Sequence, residues 1–306
     1  MEDLKLVVTP YPHVRDDDTT QKIMFTVLIS LLPVIFASLY FYRLNALRLV
    51  VLSGAAAVAA EAVFQRARNK PVTIGDGSAL ITGVLLGLSV PPTLPSWMAV
   101  LGSVFAIAIG KQVFGGLGYN PFNPALVGRA FLTASFAVAM TTWTAPFDAV
   151  SAATPLVGGA GRSGLFDLFF GSVAGSLGET SAFAILLGGI YLFYKGVLDY
   201  RIPLGVFAAC LAVCLLTGEN PIFHLLSGSL LFGAVFMATD MVTSPVTALG
   251  RWIFGIGIGL IIMLIRIWGS FPEGVTFAIL LMNAVTPLLN RWTRPRIYGQ
   301  GVTANE

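Results

Sequence analysis

The sequence predicts an all-α membrane protein of about ten transmembrane helices, arranged as two inverted five-helix repeats with broken helices. Three observations lead there. The 306 residues are 56% hydrophobic and only 11% charged, with a mean hydropathy of +0.83, whereas a soluble domain carries about 25% charged residues. Apolar runs of near-spanning length recur along the whole chain, and the basic residues sort to alternate loops between them.

A helix needs roughly 20 apolar residues to cross a hydrocarbon core of about 30 Å. Read at that length, the apolar segments fall near 23 to 42, 46 to 64, 78 to 90, 97 to 114, 124 to 143, 181 to 198, 203 to 217, 225 to 238, 252 to 268 and 274 to 290. They divide the chain into a polar N-terminal segment (1 to 22), a first five-helix repeat (23 to 143), a long polar loop (144 to 180), a second repeat (181 to 290) and a polar tail (291 to 306). The first apolar run is a full span with no cleavage-type flank, so no removable leader is expected.

The net charge of +3 does not point to nucleic acid, because the basic residues form no patch. With both termini inside, thirteen Lys and Arg fall in cytoplasmic segments, among them Lys22, Arg66, Lys70, Lys111, Arg251 and Arg291. Four fall outside: Arg43, Arg48, Arg162 and Arg266. That asymmetry follows the positive-inside rule. It supports the count of ten spans and an orientation in which the loop 144 to 180 faces outward.

The two halves share a local pattern. Gly77-Ser78-Ala79-Leu80 opens the third segment and Gly228-Ser229-Leu230-Leu231 opens the eighth. Both segments are too short to span alone, and they end before Pro91-Pro92 and at Asp240 before Pro245. Each half holds five spans, an odd number, so the second half enters the membrane from the opposite side. Short interrupted segments at matching places in inverted halves point to a site between them, because unwound backbone at membrane depth is tolerated where it lines a cavity. Ordinary proline kinks repacked by neighbours are the plainer reading.

Four further features bear on chemistry. The stretch Gly115-Gly116-Leu117-Gly118-Tyr119-Asn120-Pro121-Phe122-Asn123-Pro124 sets two amides beside aromatic rings. That combination suits the pyrimidine edge and flat face of an isoalloxazine, and equally suits a glycine and proline turn capped by asparagines. Arg129 lies inside the fifth segment, where a guanidinium normally pairs or faces a cavity; it could hold a flavin phosphate or a quinone-like group, or simply pair with Glu61 or Asp76, the plainer reading. Cys210 and Cys214 share a helix face, and without a nearby His or carboxylate they read as small apolar filler rather than a metal site. Asp240 and Glu219 are carboxylates at segment ends, which usually just face water.

The outward loop contains Asp148-Ala149-Val150-Ser151-Ala152-Ala153-Thr154, similar to the D-x-x-S-[GA]-A-T signature on which a flavin transferase esterifies FMN to a threonine. Serine and threonine beside Pro155 and Gly158 also suit a plain turn. Phe166, Phe169 and Phe170 follow, able to cover a flavin or to rest on the membrane interface.

Ten spans, an inverted repeat, this outward loop and the G-Y-N-P-F-N-P-A stretch together resemble one family over essentially the whole chain: the D subunit of the Rnf electron transport complex, an ion-translocating ferredoxin:NAD oxidoreductase, homologous to the B subunit of the sodium-pumping NADH:quinone reductase. The short N-terminal segment fits the Rnf protein better. The resemblance implies FMN held covalently through Thr154, within a motif completed by Ser151 and Asp148, and a second, non-covalent riboflavin nearer the cytoplasmic side, carried onto Asn120 and Asn123. It implies electron relay between ferredoxin and NAD coupled to Na+ or H+ movement, with the A, B, C, E and G subunits of the Rnf complex and a flavin transferase as partners. The flavins supply the chemistry, so no catalytic side chain and no metal ligand is assigned. A non-redox channel of urea-transporter-like fold shares the architecture, and fold alone does not separate the two. A scaffold with a dead flavin site would share the sequence as well.

Overall fold

The computed structural model describes residues 18–147, 154–158, 164–269 and 274–295. Among them the repeating secondary structure is helical throughout. In the first half the helices are α1 (Thr20–Tyr42), α2 (Leu44–Ala67), α3 (Ser78–Leu88), α4 (Ser96–Ile107), α5 (Pro124–Ser135) and α6 (Ala137–Met140). Two short helices follow, α7 (Pro155–Gly158) and α8 (Leu165–Phe170). The second half holds α9 (Ala182–Tyr194), α10 (Arg201–Thr217), α11 (Pro221–Leu226), α12 (Leu230–Phe232), α13 (Ala248–Trp268) and α14 (Val275–Trp292). Helix α4 widens into a π-turn over Ala108–Gln112, and α12 into another over Gly233–Met237.

Every expected apolar segment coincides with helix, yet among the described residues only α1, α2 and α13 are long and apolar enough to cross a membrane by themselves. Two segments are divided differently from the expectation. The fifth breaks at Phe136, whose φ of −132° and ψ of 50° separate α5 from α6. The eighth begins earlier, at Pro221, and its break lies at residues 227 to 229, between α11 and α12, rather than only at Asp240.

Local chemistry explains the starts. Asn123 and Asn220 each precede a proline, and each side-chain oxygen accepts the first free backbone N–H groups of its helix. Ser181 caps α9 and Thr247 caps α13 in the same manner. Gly77 and Gly228 sit before α3 and α12 with φ of +79° and +66°, a left-handed conformation that favours glycine.

Tertiary bonds gather the connections at two ends. At one end Arg68 donates to the Gln112 carbonyl, Asn123 to the Met237 carbonyl, and the Val246 N–H to Asn290. At the other, Arg48 donates to the Leu94 carbonyl, Thr93 to that of Thr142, and Arg266 to that of His224. Gly77 lies at the first end, near Met24, and Gly228 at the second, against Leu156 and Arg266. Packing follows a mirrored scheme: α2 rests on α4 as α10 rests on α13, α4 on α5 as α13 on α14, and α1 lies along α9. The approaches are close. A Cβ on Gly83 of α3 would fall on the Ser53 backbone, and one on Gly259 of α13 would sit 2.6 Å from the Val206 carbonyl oxygen.

Where helices stop at depth, their carbonyls are satisfied by protein. Past α3, the Leu88 and Val90 carbonyls accept from the N–H groups of Gly178 and Leu177 at 2.6 and 3.2 Å. Between α11 and α12, Arg266 reaches across to the carbonyls of His224 and Ser227 at 2.6 and 2.9 Å. An orphaned carbonyl in hydrocarbon costs several kcal/mol, on the order of a lost desolvated hydrogen bond, so these bridges are what permits the breaks. Apolar side chains such as Phe36, Ile190, Leu215 and Leu216 remain exposed around the bundle. An apolar exterior of this kind suits lipid rather than water.

Candidate functional site

An opening with a mainly apolar wall and a few polar groups lies between the two halves. This cavity of about 100 Å³ is bounded by α1 (Met24, Val27), α3 (Ser78, Thr82) and Lys111 in the first half, and by Leu192, Phe236 and Asp240 in the second. Asn120 and Asn123 both line it. The turn they occupy and the broken eighth segment, separate features in the sequence, thus form one site.

The two asparagines do different work. Asn123 is spent on structure: its Oδ1 accepts from the Ala125 and Leu126 N–H groups at 3.0 and 3.4 Å, and its Nδ2 donates to the Met237 carbonyl at 3.2 Å. It caps α5 and ties that helix to the π-turn of the other half. Asn120 donates Nδ2 to the Phe122 carbonyl at 3.1 Å, while its Oδ1, fully buried, has no hydrogen-bond partner among the described residues. A buried amide acceptor left unmet costs about 1 to 3 kcal/mol. Asn120 lines the cavity, so that unmet oxygen lies at its wall. The aromatic neighbours expected from the sequence do not serve the cavity: Tyr119 is 74% exposed, and the ring on the cavity wall is Phe236.

Under the cavity runs a polar network that the sequence did not single out. The sequence counts Lys111 among loop cations, whereas the structure buries it to 1% exposure in the π-turn. Its Nζ meets Glu61 Oε1 at 2.7 Å and Ser78 Oγ at 2.6 Å. Glu61 Oε1 also accepts from Gln112 at 2.9 Å and Gln65 at 3.3 Å. Ser78 in turn donates to Asp76 Oδ1 at 2.7 Å. The charged partner of Glu61 is therefore Lys111, where the sequence suggested Arg129; Arg129 is buried on α5. The π-turn is the local cause, because the extra residue per turn rotates Lys111 off the helix exterior and toward α2. A lysine at a helix end beside a glycine-rich loop carries no sequence signal of burial.

Asp240 caps its own turn at the cavity rim, its carboxylate accepting from the Val242 N–H at 3.3 Å and Thr243 Oγ1 at 3.1 Å. A second opening shares Val197, Leu198, Thr239 and Met241 with the first and is edged by Asp199 and Arg251. Burial alone would raise the Asp199 carboxyl, but the Arg201 N–H and the Arg251 guanidinium outweigh it and hold the group below its ordinary range. Cys210 and Cys214 are buried on α10, with Cys210 Sγ 3.5 Å from Met263 Sδ, a packing contact.

Asp148 and Ser151 lie outside the described residues. Thr154 is described: it is 3% exposed, and its Oγ1 is buried without a hydrogen-bond partner among the described residues. Two residues on, the Leu156 side chain packs at Gly228, beside the Arg266 guanidinium. The structure does not bring Thr154 together with the asparagine cavity. It places the threonine with the Arg48 and Arg266 end of the bundle, and Asn120 with the Arg68 and Asn290 end.

The sequence profile of the NQR2, RnfD, RnfE family matches residues 7–299. The D subunit of the Na(+)-translocating ferredoxin:NAD(+) oxidoreductase complex of Acetobacterium woodii is 48% identical, over 98% of this chain and 97% of that one. The D subunit of the proton-translocating ferredoxin:NAD(+) oxidoreductase complex of Clostridium ljungdahlii is 42% identical, over 95% of this chain and 96% of its own length. The D subunit of an ion-translocating oxidoreductase complex of Escherichia coli is 37% identical over 96% of this chain and 98% of its own. A match of this length and identity leaves no part of the bundle outside it, and the chain belongs to the NQR2, RnfD, RnfE family.

Proposed function

We propose that the chain is the membrane subunit of an ion-translocating ferredoxin:NAD oxidoreductase, relaying electrons through two flavins, FMN on Thr154 and riboflavin in the asparagine cavity. The relatives' shared description as oxidoreductase subunits supports the activity and favours it over a non-redox channel. The observation that carries the inner site is the buried, unmet Oδ1 of Asn120, a residue that lines the cavity between the halves. The hydroxyl of Thr154, buried and unmet, fits a point of attachment, since a phosphoester removes its need for a partner. Arg266 brings positive charge to the same end.

In this reading the chain makes ten crossings as an inverted repeat in a prokaryotic cytoplasmic membrane. The mirrored packing and the left-handed glycines at opposite ends support it. Both termini are cytoplasmic, the Thr154 loop is outward, and the A, B, C, E and G subunits of the complex are neighbours. One flavin fixed outside does not reach across a core of about 30 Å, so an inner stop is required. Relatives of similar identity are named for different ions, so the coupling ion follows from particular residues rather than from overall likeness. In membrane-impermeant labelling, a cysteine at Gly164 reacts from outside and one at Asn69 does not; the reverse pattern refutes the orientation.

The site test separates the asparagines. Asn120→Leu removes the open acceptor and is expected to weaken riboflavin retention by about tenfold, since a hydrogen bond of about 1.4 kcal/mol is a factor of ten. Acid-extracted riboflavin from the purified chain reports it, and undiminished riboflavin refutes the site. Asn123→Leu is expected to lower stability instead, by about 0.5 to 2 kcal/mol for the lost cap, measurable as an earlier unfolding transition in detergent.

A further inference from the structure

We infer that Lys111 is the cation that biases the cavity toward a reduced flavin over an oxidised one, against the Asp240 carboxylate that shares the wall; the inference rests on the cavity reading above. Lys111 and Ser78 both line the cavity, whereas Glu61, the counter-ion of Lys111, does not. The ion pair is thus a fixed dipole with its positive end toward the ligand. It is buried to 1% exposure on both side chains, so water does not screen it. Glu61 Oε1 accepts from Gln65 and Gln112 as well as from the ammonium, and Ser78 Oγ accepts from the ammonium at the cavity wall. These anchors keep the ammonium at the wall rather than let it withdraw.

The ligand chemistry that such a wall selects follows directly. Oxidised isoalloxazine is neutral, while its two-electron reduced form at neutral pH carries negative charge on the pyrimidine side. Asn120 Oδ1 accepts a ring N–H, and an ammonium nearby favours the form with negative charge. Lys111 is therefore a positioning charge, not a reacting group.

The test uses the full chain in detergent with Thr154→Ala, so that only non-covalent flavin contributes. Dissociation constants for oxidised and anaerobically reduced riboflavin are measured on the parent and on the double variant Glu61→Gln with Lys111→Met, which removes both buried charges without leaving either unpaired. The ratio of the two constants is expected to move at least tenfold against the reduced form, equivalent to about 30 mV for a two-electron couple. Glu61→Gln alone leaves the positive charge uncompensated and is expected to move the ratio the other way. A structural role would change both constants together, and an unchanged ratio overturns the inference. If riboflavin binds the parent and depends on Asn120 while the ratio ignores charge, only this inference falls. If riboflavin does not bind the parent at all, the cavity reading falls with it.

Discussion

The denatured chain made alongside a flavin transferase is expected to fluoresce as a flavin on a gel, and Thr154→Ala is expected to be dark. The effect is all or none, because one phosphoester either exists or does not, and denaturation removes every non-covalent flavin. Fluorescence that survives the substitution would falsify attachment at this residue. The burial of Thr154 adds a second expectation. A hydroxyl 3% exposed is closed to an enzyme's active site, so modification requires the segment around Leu156 to leave its packing at Gly228. Flavin is then incorporated faster during synthesis than into chain purified unmodified, and equal rates would show that the loop opens freely.

The second large effect is on stability. Lys111→Met alone leaves Glu61 buried in the bundle without its counter-ion, and removing one partner of a buried pair costs about 3 to 5 kcal/mol. Adding Glu61→Gln should recover most of that loss, because a neutral buried amide keeps hydrogen bonds with Gln65 and Gln112 at far lower desolvation cost. Thermal unfolding of the parent, both single variants and the double closes a cycle whose coupling reads the pair directly. If Lys111→Met unfolds at the parent temperature, the pair is not buried as the structure places it. The same cycle shows that the double variant used for flavin binding is folded.

Much of the architecture is legible in the residues because its causes are local. Apolar runs locate every major helix to within a few residues, and Asn-Pro and Ser or Thr caps mark several starts. The Gly-Ser openings at residues 77 and 228 both lead into helices, since a left-handed turn at a helix entrance favours a glycine whatever surrounds it. The polar stretch around Asn120 is conspicuous in an apolar chain for the same reason.

What the residues alone left open depends on partners distant in sequence. Asn120 and Asn123 look alike, and only the Met237 carbonyl, 114 positions away from Asn123, makes one a strut, while the Oδ1 of the other stays unmet. The break inside the eighth segment is invisible locally, because Arg266 from α13 is what satisfies its carbonyls. Lys111 reads as a loop cation until the π-turn carries it to Glu61 on α2. The sequence by itself determined the helical class, the placement of the segments and the family. The tertiary structure decided which polar groups are buried, which are paired and which are left without a partner among the described residues, because those are properties of contacts between segments rather than of any segment alone.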